Sequence, residues 1–251
     1  MKFTKEKIIQ FFKIFGKNIS DSEYKLLTTG KGKWSETDET KKQIKIINKY
    51  SWIFSFVPGL IAVFYCNTTA FRSANKESDI DLFVVSKNNQ LWICRVFLTF
   101  FFQILGIRRH ENKVKNKFCL SFFSTADGAL NLKDLQIEKN NDPYLAVWIA
   151  TAELVFGKNE FLKEFQKKNN WINDYGLQFK RKSEFKNTNF IQIMLGNILE
   201  CLSFEWSLKK VFLSRTLKKA KNLKNKNGTI ISERYLKFHD KDIRESVLRN
   251  I

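Results

Sequence analysis

Apolar positions 8, 9, 11, 12, 14 and 15 cover a wide helical face over residues 7–15, and Gly16 and Asn18 end it. Ser20-Asp-Ser-Glu reads as a cap for a short helix through Leu27, and residues 28–33 form a turn or loop. A further helix is predicted over 37–54; it stops before Val57-Pro58 because a residue ahead of proline is pushed out of the helical region. The period then shortens. The runs at 60–65 and 80–85 are brief, apolar and partly β-branched, which predicts strands, and 117–123 predicts a third. Between them, 90–106 is a long apolar segment in which Arg95, Thr99 and Gln103, spaced by four, make one polar stripe on a helix. From Asp142 the helical period returns. Asp142-Pro143 opens a helix through Phe156, a second covers 160–169, a long amphipathic helix covers 188–221, and Asp240 caps a last one. The pattern predicts an α+β chain in three parts: a helical lead-in over 1–50, an αβ core over 51–125 and a C-terminal helical region over 126–251.

Composition narrows the class. At 251 residues, 43% apolar and 15% aromatic, the chain has enough material for a real core and is not a disordered polymer. Cys66, Cys94, Cys119 and Cys201 lie far apart within apolar runs with no C-x-x-C pair, which argues against zinc and for buried thiols in a reducing cytoplasm. The N-terminal residues show no long apolar h-region or small-residue cleavage site, so no signal peptide is expected. The segment 91–107 is short for a membrane crossing and carries Arg95 and Gln103, so no integral span is expected. The formal net charge of +19 points to polyanionic partners, while abundant Lys, Asn, Ile and Phe also fit a compositional bias. The groups Arg108-Arg109-His110 and Lys113, Lys115 and Lys117 form a basic connector, and Arg215 to Lys226 is densely basic; each reads either as a phosphate contact or as a solvated face. His110 and His239 are the only histidines, and no histidine or cysteine constellation suggests another enzyme class.

The candidate chemistry lies in Ser78-Asp79-Ile80-Asp81-Leu82. On a strand, residues two apart share a face, so Asp79 and Asp81 project together and Ile80 and Leu82 oppose them. Adjacent carboxylates repel unless a cation joins them, and Mg²⁺ accepts carboxylate together with phosphate oxygens. A solvated acidic pair is the alternative. Arg95, one turn into the helix after this strand, needs a partner, which a triphosphate, the acidic pair or a structural carboxylate would supply.

Upstream, Val57-Pro58-Gly59 precedes the strand 60–65, a small polar pair follows it, and Ser73-Ala74-Asn75 leads into the acidic strand. Leu91-Trp92-Ile93-Cys94-Arg95, Leu105-Gly106-Ile107-Arg108-Arg109, 117–123, Asn169-Asn170-Trp171 and Phe238-His239-Asp240 follow in order. This set, from about Trp52 to the end, resembles the DNA polymerase β-like nucleotidyltransferase superfamily, and more closely a bacterial group of stand-alone nucleotidyltransferase-domain proteins. The resemblance implies a small mixed β-sheet core that binds a nucleoside triphosphate with Mg²⁺ and transfers a nucleoside monophosphate to a hydroxyl on RNA, DNA or a small molecule. It implies Asp79 and Asp81 as the catalytic metal ligands and Asn67, Thr68, Ser78 and Arg95 as the nucleotide-binding residues. Two departures stand out. The superfamily's Gly-Ser is Asn67-Thr68 here; Asn tolerates positive φ and Thr keeps a hydroxyl. The superfamily's third carboxylate, on a later strand, has no counterpart in 118–123, where Ser121 is the only hydroxyl residue. Both departures favour a second reading: a catalytically weakened nucleotide- or RNA-binding module on the same fold.

Overall fold

The apolar runs at 60–65 and 80–85 become neighbouring strands of a six-stranded mixed sheet, seen in a computed structural model. It describes residues 3–110, 112–138, 141–180, 202–221, 228–238 and 243–250. The strands are β1 (Leu60–Tyr65), β2 (Ile80–Ser86), β3 (Phe118–Thr125), β4 (Glu153–Phe156), β5 (Thr229–Ile231) and β6 (Tyr235–Phe238), in the order β4-β1-β2-β3-β6-β5. Only the β2–β3 pair is parallel. Parallel neighbours need a crossover, and the apolar helix Leu91–Ile104 supplies it.

The sheet buries both faces. Phe83 and Val85 point to one, with Phe64 and Phe122; Leu82 and Val84 point to the other, with Val63 and Phe123. The helices are α1 (Lys5–Ile14), α2 (Asp21–Thr29), α3 (Asp38–Tyr50), α4 (Asn67–Ala70), α5 (the crossover, Leu91–Ile104), α6 (Ala126–Leu130), α7 (Pro143–Thr151), α8 (Asn159–Lys168), α9 (Leu202–Lys221) and α10 (Arg244–Asn250). Helix α5 covers the Leu82 face through Leu98 and Phe102, and α7 covers the Phe83 face through Trp148, whose ring meets Phe83 at 5.2 Å.

The N-terminal helices are built into this core and do not stand beside it. Phe11 and Phe12 are fully buried and meet Phe71 edge-on at 5.7 Å. Helix α2 starts in the capping box that Ser20 predicts, with Glu23 as its partner, and Gly30 closes it at φ +69°. The helix expected over 37–54 gives way at Tyr50 to a 3₁₀ turn, Ser51–Phe56.

The C-terminal part corrects the expectation of an all-helical region. The helix opened by Asp142-Pro143 ends at Thr151, not Phe156, because residues 153–156 pair antiparallel with β1 and complete its otherwise open edge. The hairpin β5–β6 extends the sheet on the other side, against β3. Helix α9 realises the second half of the predicted long helix; residues 188–201, Cys201, His239 and Asp240 lie outside the described residues. Cys66, Cys94 and Cys119 are buried free thiols. No helix among the described residues is long and apolar enough to cross a membrane.

Candidate functional site

After β1 the chain turns sharply at Asn67, whose φ is +52°, and enters the single turn of α4. Asn pays little for the left-handed region, so it serves where the resemblance led one to expect glycine. The loop from α4 to β2 is pinned at two points. Buried Arg72 ion-pairs with Glu153 of β4 at 2.5 Å and with Glu36 at 3.2 Å, and donates to the Tyr65 hydroxyl at 2.9 Å. Buried Gln43 of α3 donates through Nε2 to the carbonyls of Ser78 and Asp79, at 3.1 and 3.2 Å, and accepts from Thr69 Oγ1 at 2.7 Å. These anchors fix the backbone that carries Asp79.

Asp79, just ahead of β2, and Asp81, within it, converge as the sequence reading expects. Asn67 Nδ2 donates to Asp81 Oδ2 at 2.8 Å, and the Tyr144 hydroxyl of α7 donates to Asn67 Oδ1 at 3.0 Å, which fixes the amide's orientation. Arg109 Nη1 donates to Asp79 Oδ2 at 2.6 Å. Cys119 lies in register beside Asp81 on the parallel strand, and one ligand atom from each of Asp79, Asp81 and Cys119 falls within a 4.8 Å span. Burial, with Asp79 alongside, pushes the Asp81 carboxyl up to about 6. Burial, with the two carboxylates, raises the Cys119 thiol well above its ordinary value and keeps it neutral. Burial works against charge on Arg109, but Asp79 beside it prevails and its pKa is raised.

The group opens on a cleft with an empty volume near 1170 Å³ that Asn67, Thr68, Ser78, Asp79, Asp81 and Arg109 line on one side. Trp148 and Tyr144 add aromatic surface to it, and buried Lys237 of β6 and Arg244 of α10 bring positive charge. Arg244 is itself held, donating to the Leu135 carbonyl at 2.8 Å and pairing with Asp142 at 3.5 Å. The Ser78 hydroxyl is tied into a local turn with Asn75.

Five of the six residues singled out in the sequence therefore meet in one cleft. Arg95 does not. It sits on α5, which packs on the Leu82 face, and its side chain lines a different cleft on the far side of the sheet from Asp81. Searches of protein-family models, of curated proteins and of solved structures return no match.

The donor set suits a hard cation. Two carboxylates on one cleft wall can hold one Mg²⁺ and leave its remaining positions to water and phosphate oxygens. Cys119 offers the third ligand atom of this group, and a neutral thiol is a poor Mg²⁺ ligand. Sequence reasoning missed Cys119 because β3 is irregular between the partners of Asp81 and Phe83, so the side-chain facing of 119–122 cannot be counted by twos. It also missed Tyr144 and Lys237, which reach the cleft from elements remote in sequence and carry no local motif.

Proposed function

We propose that the chain is a Mg²⁺-dependent nucleotidyltransferase that moves a nucleoside monophosphate from a nucleoside triphosphate to a hydroxyl acceptor and releases pyrophosphate. The observation that carries this reading is the convergence of Asp79 and Asp81 in one open cleft, beside the left-handed turn at Asn67, that Lys237 also lines. Asp79 and Asp81 would hold the ion, which when bound supplies Lewis-acid polarisation and charge neutralisation at the phosphates. Asn67, oriented by Tyr144, fixes the Asp81 carboxylate by donating to its Oδ2. Arg109, half-exposed, covers Asp79 and is placed to turn toward phosphate oxygens, where its planar fork suits bidentate contact. Thr68 adds a hydroxyl at the same wall. The acceptor is RNA, DNA or a small molecule, and the buried free thiols support residence in a reducing cytoplasm.

Two observations favour a binding module as the second reading. Arg109 already occupies Asp79, and the group next to the acidic pair contains a thiol and no third carboxylate among the described residues. Incubation with labelled nucleoside triphosphates, Mg²⁺ or Mn²⁺ and candidate acceptors separates the two. Metal-dependent transfer abolished by Asp79→Asn supports the enzyme. No transfer, with RNA binding that ignores Asp79→Asn and falls steeply with salt, supports the module.

A further inference from the structure

The polar stripe of α5 does not reach the acidic cleft but opens on a second one. Alternation along β2 sends Asp81 to one face and Leu82 to the other, and α5 packs on the Leu82 side. There, Arg95, Thr99 and Gln103 of α5 face Phe212 and Thr216 of α9 across a half-open cleft with an empty volume near 1250 Å³. Arg95 Nη1 is buried and has no hydrogen-bond partner among the described residues. The guanidinium is held among rings, 4.6 Å from the centroid of Phe238 and 5.4 Å from that of Phe123. A second guanidinium, Arg108, lines the same cleft, and no Asp or Glu does among the described residues. The acid that α9 brings nearby, Glu205, is already engaged: its two carboxylate oxygens accept from the backbone N–H groups of Trp92 and Ile93, each at 2.8 Å.

A buried guanidinium without an anion is costly, and ring contacts offset only part of that cost. A second cation alongside adds repulsion; burial and Arg108 together bring the Arg95 guanidinium down to about 10. The remaining walls are apolar, and two of them, Phe100 and Ile104, are 56% and 67% exposed. The cleft thus has a cationic floor and uncovered apolar sides.

We propose that this cleft binds a small amphiphile: an anionic head, carboxylate or phosphate, on Arg95 and Arg108, and an apolar body covering Phe100, Ile104 and Phe212. This ligand is separate from the nucleotide of the acidic cleft. The cavity proper of this second cleft, about 540 Å³ once the space open to solvent is left out, lies within the range usual for small-molecule sites.

Calorimetry and thermal unfolding of the whole chain test it, with laurate and dodecyl phosphate as probes, dodecanol as the uncharged match and inorganic phosphate as the head alone. At least one anionic probe should bind about tenfold or more tighter than dodecanol and inorganic phosphate, since a charge-assisted bond is at stake, and should raise Tm. The comparison of laurate with dodecyl phosphate identifies the head. Arg95→Met keeps the bulk and removes the charge. It should weaken that binding by about tenfold or more, and the unliganded variant should melt higher than the wild type. Arg108→Met, at a more open position, should weaken binding in the same direction and serves as the second variant if Arg95→Met fails to fold. Equal binding of dodecanol and laurate, inorganic phosphate binding as tightly as dodecyl phosphate, or anion binding untouched by both substitutions would overturn the proposal.

Discussion

Asn67 combines two functions in one residue: a left-handed backbone, at φ +52°, and an amide that bonds Asp81 at 2.8 Å. The two can be separated. Asn67→Gly keeps the backbone and loses the amide, whereas Asn67→Ala loses both and adds strain worth about 1 kcal/mol. Chemical denaturation should therefore show Ala costing more than Gly, by roughly 1 kcal/mol; equal costs, or a larger cost for Gly, would remove the strain argument. Arg109 invites a second test. It holds the Asp79 oxygen that an ion would need, so Arg109→Gln should raise Mn²⁺ affinity, read by electron paramagnetic resonance, by up to about fivefold, the range expected for a half-exposed pair. Unchanged or weaker Mn²⁺ binding would show that the pair does not compete with metal. At this scale the sequence was readable where chemistry is local: the two acids share a face because they are two apart, and Asn fits a turn that demands positive φ. Cys119 was not readable, because its facing depends on an irregularity in β3.

Among the elements, α2 shows how firmly the N-terminal helices are fastened. Glu23 is buried, and burial alone would raise its carboxyl. The Ser20 N–H at 2.7 Å, Lys17 at 2.9 Å and the Ser35 hydroxyl and N–H overcome that and hold it down to about 2. A carboxyl depressed on folding stabilises the native state above its unfolded pKa, and that contribution is lost as pH falls toward the folded value. Glu23→Gln should therefore cost on the order of 2–3 kcal/mol at pH 7, and its gap from wild type should close as pH falls from about 4.5 toward 2. A gap that stays constant over that range in urea titrations would contradict the assignment. Gln43 of α3 carries the link from element to site. Gln43→Leu removes a donor from the part-buried carbonyl of Asp79, while the Ser78 carbonyl keeps the Asn116 N–H at 3.0 Å; it should cost about 1–2 kcal/mol and lower the proposed transfer activity through a looser Asp79 loop. Full activity at the lost stability would show that Gln43 supports the fold and not the site. Elements with local signals, the Ser20 box and the Asp142-Pro143 start, were legible in the sequence. Strands β4, β5 and β6 were not: each has four residues or fewer, and what makes them strands is the open edge they meet.

Across the whole molecule, one sheet separates two clefts: carboxylates and cations together line one, and among the described residues only cations and uncharged side chains line the other. Alternation on β6 shows it in adjacent residues, since Lys237 lines the acidic cleft while the ring of Phe238 lies under Arg95. The α+β class was visible in the change of hydrophobic period, but the expected separation of a lead-in from a core was not realised. Phe11, Phe12 and Phe71 join the N-terminal helices to the motif loop, which no local pattern announces. The net charge of +19 bears on the proposed acceptor: a polyanion should bind with strong salt dependence, and a small hydroxyl compound should not. The account as a whole depends on the two carboxylates and a cation-bound nucleotide occupying one place. Calorimetry with a non-hydrolysable nucleoside triphosphate analogue, with Mg²⁺ and with EDTA, on wild type and Asp79→Asn, tests that directly. The account predicts binding that requires Mg²⁺ and weakens by about tenfold or more in Asp79→Asn; binding of equal strength in EDTA and in the variant would contradict it.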